Sequence, residues 1–269
     1  MNILVCVKQV PDTTAVKIDP VTNTLIRDGV PSILNPFDGF ALEMALRMKD
    51  SVGGTVTVVS MGPAQAEAVL RDSLAVGADD AYLVSGREFG GSDTLATSYI
   101  LSCAVKAVEA KKGEKFDVIF CGKQAIDGDT GQVGPEMAEH LDYPQITYAT
   151  ELVSCTDHNV RIRKETAEGY EVLESSLPLV VSVTKTPFEL RFPTVKKRLA
   201  ANRAQINLIT PQDMENQIDL TRAGLKGSPT KVKKSFTPQH NKTCVIVEED
   251  SLSASAVKLT ALLSEAKKF

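Results

Sequence analysis

The segment Gly122 to Pro135, GKQAIDGDTGQVGP, holds four glycines, two aspartates and a single basic side chain, Lys123. Gly122, Gly128, Gly131 and Gly134 admit left-handed or close-approach backbone, so successive N–H groups can turn inward as a nest for phosphate oxygens. Asp127 and Asp129 would repel a phosphate; they suit fixing turns, capping a helix or accepting from ribose hydroxyls. Thr130 and Gln132 are neutral donors, and Gln124, Ala125, Ile126 and Val133 complete the stretch. It is also longer than the two to six residues typical between a strand and a helix. Two interpretations stand: a nucleotide-binding loop, or a surface loop without a ligand.

Three further segments could carry chemistry. Met61, Gly62 and Pro63 open a helix whose free N–H groups and positive end suit an anion, although Gly-Pro also serves plain turn geometry. Asn35, Pro36, Phe37 and Asp38 begin another helix, with Asp38 as a candidate cap. KQVPDT, Lys8 to Thr13, follows an apolar run containing Cys6. GGSD, Gly90 to Asp93, resembles the pyrophosphate loop of adenylating enzymes, but it follows the third strand and lacks the Ser-Gly lead-in. Neither G-x-G-x-x-G after the first strand nor G-x-x-x-x-G-K-[ST] occurs.

Composition narrows the chemistry. The formal net charge of -4 over 269 residues argues against a nucleic-acid surface. Lys196, Lys197 and Arg198, and again Lys231, Lys233 and Lys234, form short basic clusters that suit a solvated face or partner docking. The five cysteines, Cys6, Cys103, Cys121, Cys155 and Cys244, are odd in number and far apart, as expected of reduced thiols in a cytoplasmic chain. His140, His158 and His240 lack ligand spacing, so no metal site is expected. The N-terminal apolar run meets Lys8 too soon for a signal peptide or a membrane span.

The elements that position these residues follow from periodicity. Ile3 to Val7, Thr55 to Ser60, Ala81 to Val84 and Phe116 to Cys121 are short, apolar and β-branched, as buried strands are. Helical patterns cover Gly39 to Lys49, Ala64 to Val76, Thr94 to Lys111 and Pro135 to Leu141, with Ser92 or Asp93 as an N-cap. Alternation of the two predicts an α/β fold with a parallel sheet covered on both faces. In such sheets ligands sit beyond the carboxyl ends of the strands, where strand order reverses, and the candidate loops follow strands. After Pro144, ITYATEL, NVRIRKE, YEVLESS and LVVSVT predict an antiparallel meander, added to the sheet or beside it. A basic helix follows. Residues 210–239 are polar and rich in turn residues, predicting an extended arm, and an amphipathic helix over Ser251 to Lys268 ends the chain.

VCVKQVPDT, NPFDGFALEMAL, VVSMGPAQAEAVLRDSLAVGADDAYLV, GKQAIDGDTGQVGPEMAEHL and LPLVVSVT, in this order, resemble the beta subunit of electron-transfer flavoproteins. The resemblance spans nearly the whole chain and includes a meander signature at Val160 to Ser182. It implies an adenine-nucleotide-alpha-hydrolase-like (Rossmann-like) domain over residues 1–209 and, over 210–269, an arm and helix packing on an obligate alpha subunit that carries FAD. It also implies a nucleotide site of the beta subunit's own at Cys6, Asn35 to Asp38, Met61 to Pro63 and Gly122 to Val133.

One branch of the family holds AMP there as a structural ligand. The other holds a second FAD that takes hydride from NADH and bifurcates the electron pair. DGDTGQVGP looks like the bifurcating branch, because small residues at Gly128 and Gly131 leave room for a second phosphate. The implied partners are an acyl-CoA dehydrogenase or another flavin dehydrogenase, and ferredoxin or flavodoxin as low-potential acceptor. No catalytic side chain is implied. The loop over residues 184–193 lies where the family recognises its dehydrogenases, with Pro187 or Phe188 in place of the usual anchoring leucine. Phe188 and Leu190 are candidate anchors there, or else pack on the meander. A stand-alone nucleotide-binding module is the competing class.

Overall fold

Every apolar run that is short, β-branched and closed by a turn residue forms a strand in the computed structural model, which describes residues 1–12, 31–233 and 244–266. Thr13, Lys234, His240, Lys267 and Lys268, and the end of the polar arm, lie outside the described residues. The elements run β1 (Asn2–Cys6), β2 (Gln9–Pro11), β3 (Ser32–Leu34), α1 (Pro36–Val52), β4 (Thr55–Met61), α2 (Glu67–Val76), β5 (Asp80–Val84), α3 (Thr94–Lys112), β6 (Val118–Gly122) and α4 (Val133–Leu141). They continue β7 (Gln145–Cys155), β8 (Asn159–Thr166), β9 (Gly169–Ser176), β10 (Leu179–Val183), α5 (Val195–Arg203), β11 (Asn207–Ile209), α6 (Gly224–Gly227) and α7 (Leu252–Glu265).

Nine strands form one sheet in the order β11-β5-β4-β1-β6-β10-β7-β8-β9, parallel from β11 through β7 and antiparallel beyond. This is the mixed α/β architecture expected. Alternate strand residues serve opposite faces, as period-2 geometry requires. Ile3, Val5, Val58 and Phe120 join the core under α1 and α2, whereas Leu4, Val59, Ile119 and Cys121 join the core under α3 and α4.

The sequence expectation needs one correction. LVVSV is not the fourth strand of a meander: β10 inserts between β6 and β7 and runs parallel to both. All five of its residues are buried, which is the mark of a central strand covered on both faces rather than a half-solvated one. The meander is therefore β7, β8 and β9, and it extends the main sheet. Two short pairings gave no periodic signal: β2 with β3, and β11 on the outer edge of β5.

Part of the polar arm is folded back. Met214 and Ala223 are buried in the core under α3, Arg222 stacks 3.9 Å from the centroid of Tyr99, and the Asp219 N–H donates to the Tyr99 hydroxyl at 2.7 Å. Farther on, Leu252, Val257, Leu259 and Leu262 of α7 are exposed. No helix among the described residues is long and apolar enough to cross a membrane.

Candidate nucleotide site at the switch point

From β1 the chain moves outward to β4 and β5, then returns to lay β6 on the other flank of β1. The strand order therefore reverses between β1 and β6, and the loops leaving those two strands diverge over a crevice. Cys6 ends β1 and Gly122 ends β6. Between them lies the first turn of α1.

That turn acts as a bracket. Its N-cap is Asn35 with Pro36 at the first helical position, where a missing N–H costs nothing. Asp38, expected as the cap, instead sits inside the helix with 6% of its surface exposed. Its carboxylate accepts the Lys8 N–H at 2.7 Å and the Gly122 N–H at 3.1 Å, tying the exit of β1 to the exit of β6. A Cβ at Gly122 would fall 2.7 Å from the Asp38 nitrogen, so only glycine permits this approach. Burial pushes the Asp38 carboxyl up to about 7 despite those two donors, and pushes the Cys6 thiol up to about 12. Cys6 is thus a neutral wall.

Asn35 performs the same service for the Gly122–Val133 loop. Its amide donates to the Gln124 carbonyl at 2.9 Å, and its oxygen accepts the Ile126 N–H at 3.2 Å. The Lys8 ammonium pairs with Asp127 at 2.7 Å, Gln124 donates to the Asp129 carboxylate, and the Asp129 N–H closes a turn on Ala125 at 2.8 Å. Asp129 and Gly131 both have positive φ, 58° and 68°. Lys123 lies with its ammonium 5.1 Å from the centroid of Tyr148. The acids thus fix turns, and no side chain caps α4, whose N-cap is Gln132.

This arrangement leaves a run of donors. The N–H groups of Thr130, Gly131, Gln132, Val133 and Gly134 find no acceptor among the described residues. They open α4, where the helix dipole adds positive potential. The chemistry offered is that of a backbone anion site with no cation assigned to it. Phe37 stacks edge-on with Phe40, with centroids 6.5 Å apart.

Met61, Gly62 and Pro63 lie apart from this bracket, at the exits of β4 and β5. They line a cavity of about 680 Å³ together with Glu67, Ser85, Gly86, Arg87, Phe89 and Gly90 among others. The turn leads first into a short 3-10 segment, Ala64–Ala66, and only then into α2. The Gln9 side chain donates to the Gln65 carbonyl at 3.2 Å, linking this loop to the exit of β1. Gly86 to Phe89 escaped the sequence reading because one arginine among turn residues carries no spacing signal. Asp93, one of the two caps expected for α3, accepts from Ala96 N–H at 3.0 Å and from Thr230 N–H at 3.0 Å, so the arm anchors this wall.

In the loop over residues 184–193, two of the candidate anchors turn inward. Phe188 lies under the Arg47 guanidinium, 4.1 Å from it, and Leu190 packs against the core under α1. Pro187 is exposed. Phe192, unmarked by any spacing rule, is 96% exposed, with Val195 and Leu199 exposed beside it on α5.

The electron transfer flavoprotein domain matches residues 22–214. The chain is 51% identical to "Electron transfer flavoprotein subunit beta" of Megasphaera elsdenii over 94% of both chains. It is 47% identical to the protein of the same name in Clostridium acetobutylicum, over 98% of this chain and 99% of that one. It is 46% identical to "Caffeyl-CoA reductase-Etf complex subunit CarD" of Acetobacterium woodii, over 88% of each. The bracketed crevice, the sheet that carries it and these matches agree: the chain belongs to the electron transfer flavoprotein family, as one of its beta subunits.

Proposed function

We propose that this beta subunit holds FAD rather than AMP on the Gly122–Val133 loop, receives hydride from NADH and belongs to the bifurcating branch. The observation that carries this is the run of N–H groups from Thr130 to Gly134, which find no acceptor among the described residues. Five donors in sequence are more than one for each terminal oxygen of a monophosphate, and they are enough to serve both phosphates of a diphosphate. Asn35, Pro36, Phe37 and Asp38 aim the loop, and Cys6 supplies an uncharged wall. The cavity at Met61 to Pro63 has the volume of a small-molecule site, roughly 300–1,000 Å³, and suits the nicotinamide donor.

FAD bound here would accept a hydride and release its two electrons singly, one to a low-potential acceptor such as ferredoxin or flavodoxin and one to the FAD of an alpha subunit. The chain's own residues position and desolvate; no side chain needs to act as nucleophile or base. The alpha-subunit FAD would then serve an acyl-CoA dehydrogenase or another flavin dehydrogenase in the cytoplasm. Residues 1–209 form the nucleotide-binding unit of this scheme; in 210–269 the first part of the arm also packs on this chain's own α3, and the rest, with α7, packs on the alpha subunit. The exposed apolar stripe of α7 supports that packing. The loop over residues 184–193 would meet the dehydrogenase, with Phe192 as anchor, Pro187 at its rim, and Phe188 and Leu190 as its support.

The test is a nucleotide count on the purified heterodimer. Two FAD per heterodimer are expected; one FAD with one AMP would replace this scheme by an ordinary electron carrier with structural AMP.

A further inference from the structure

Glu43 is a carboxylate with 3% of its surface exposed, in the middle of a helix that otherwise buries mainly aliphatic side chains. A buried charge is costly unless it is paired and hydrogen-bonded throughout. Here it is. One carboxylate oxygen, Oε2, accepts the main-chain N–H of Arg191 at 3.0 Å and its Nε at 2.9 Å. The other, Oε1, accepts Arg191 Nη2 at 3.0 Å and Arg47 Nε at 3.0 Å. Arg191 Nη2 also reaches Asp50 at 2.8 Å, so two acids and two guanidiniums form a neutral cluster.

The cluster organises one loop. Arg47, held by Glu43, covers the ring of Phe188, and Leu190 packs beneath near Gly39. Thr186 donates its hydroxyl to the Phe188 carbonyl at 2.6 Å. Arg191 is gripped by main chain and side chain together, which fixes the direction in which the chain leaves it. The next residue is Phe192, 96% exposed, and two residues later Thr194 caps α5 by accepting the Lys197 N–H at 3.2 Å. A large aromatic is therefore held out in water between two fixed points. Lys185, Lys196 and Lys197 are exposed and flank it in the sequence, and none of them makes an ion pair among the described residues.

A buried Glu–Arg cluster often stabilises a fold no more than apolar packing of the same volume would; here the two-pronged grip on Arg191 fixes one geometry of the loop. We infer that Glu43 is a positioning residue for partner docking. Through Arg191 and Arg47 it presents Phe192, already ordered, to a partner protein that has an apolar pocket ringed by acidic side chains. This rests on the proposal that the loop over residues 184–193 is the docking surface. An anchor held in its bound geometry spares the ordering cost of binding, which appears in the affinity and not in the chemistry that follows.

The experiment uses the complete heterodimer and an acyl-CoA dehydrogenase of the same organism as probe, with Glu43→Gln, Arg191→Lys and Phe192→Ala compared. The two cluster variants should raise KM for the dehydrogenase about three- to tenfold, with kcat and bound nucleotide unchanged. Hydrogen exchange at the Arg191 amide should accelerate in Glu43→Gln. Faster exchange with an unchanged KM overturns the inference, because the loop would be loosened without consequence for docking. If KM is unchanged in Phe192→Ala as well, the loop is not the docking surface, and the proposal beneath the inference falls with it. Should Glu43→Gln fail to fold, Arg191→Lys decides, since it keeps the cation and removes only the fork.

Discussion

Asp38 holds two diverging loops with one carboxylate, and its environment makes that grip depend on pH. The groups facing it are the Asn35 side chain, the Lys8 and Gly122 N–H donors, the neutral Cys6 thiol and, more distantly, the Lys8 ammonium. The folded chain keeps the Asp38 proton up to about pH 7, whereas an unfolded aspartate releases it near pH 3.9. Stability linked to that proton is complete below about pH 4 and is lost as pH rises to about 7. Asp38→Asn should therefore show a flatter dependence of melting temperature on pH over this window than the native chain. It should also lose bound nucleotide, because its amide would present a donor to one of two N–H groups. Thermal melts at several pH values, with nucleotide counts, check both. Gly131 offers a second test. At φ 68° asparagine is tolerated better than other side chains, and space exists around its Cβ position. Gly131→Asn should retain nucleotide, and Gly131→Asp, of nearly equal size, should lose it by placing a negative charge among the free N–H groups. Equal retention by both variants would remove the nest as the anion site.

Among the elements, α5 is held to α2 by the Arg198–Asp72 pair, by its buried Ala201 and, at its C-terminus, by one side chain. Arg71 of α2 donates to the carbonyls of Ala201, Asn202 and Ala204, at 3.0, 3.2 and 2.9 Å, where α5 runs out of internal partners. It also pairs with Glu67. Arg71→Ala should destabilise the protein by about 1–3 kcal/mol, since it strands partly buried carbonyls, and the urea midpoint should fall with little change in slope. α5 itself was visible in advance from its basic composition, and its cap Thr194 is an ordinary one. Its docking on α2 was not visible, because the three accepting carbonyls belong to the backbone and leave no trace in residue identity. The loop before it shows the same division. Sequence left Phe188 open as an exposed anchor or a packed residue, and Arg47, far away in the chain, covers its ring.

For the molecule as a whole, α7 is the outstanding feature. Leu252, Leu259 and Leu262 stand 92%, 48% and 38% exposed along one side of the helix, a stripe that water disfavours, while Val257, 68% exposed, faces away from it. If it covers the alpha subunit, Leu259→Glu with Leu262→Glu should abolish co-purification of the two chains, as size-exclusion chromatography of the co-expressed pair would show. An intact heterodimer would assign the stripe elsewhere.

Periodicity in the sequence by itself determined the α/β class, four of the six strands of the first half, the helices between them and the glycine-rich loop, because these depend on neighbours within a few residues. The same local rules marked Asn35, Asp38 and the Gly122 segment as candidates without saying what each would do. Tertiary structure alone decided that β10 enters the parallel sheet, since strand order is set by pairing between residues distant in sequence. It also decided that Asp38 and Asn35 spend their polar atoms on aiming a loop, and that Asp127 is answered by Lys8. Each is a contact across many residues, and a side chain's chemistry fixes what it can bond but not which distant partner the fold brings within 3 Å.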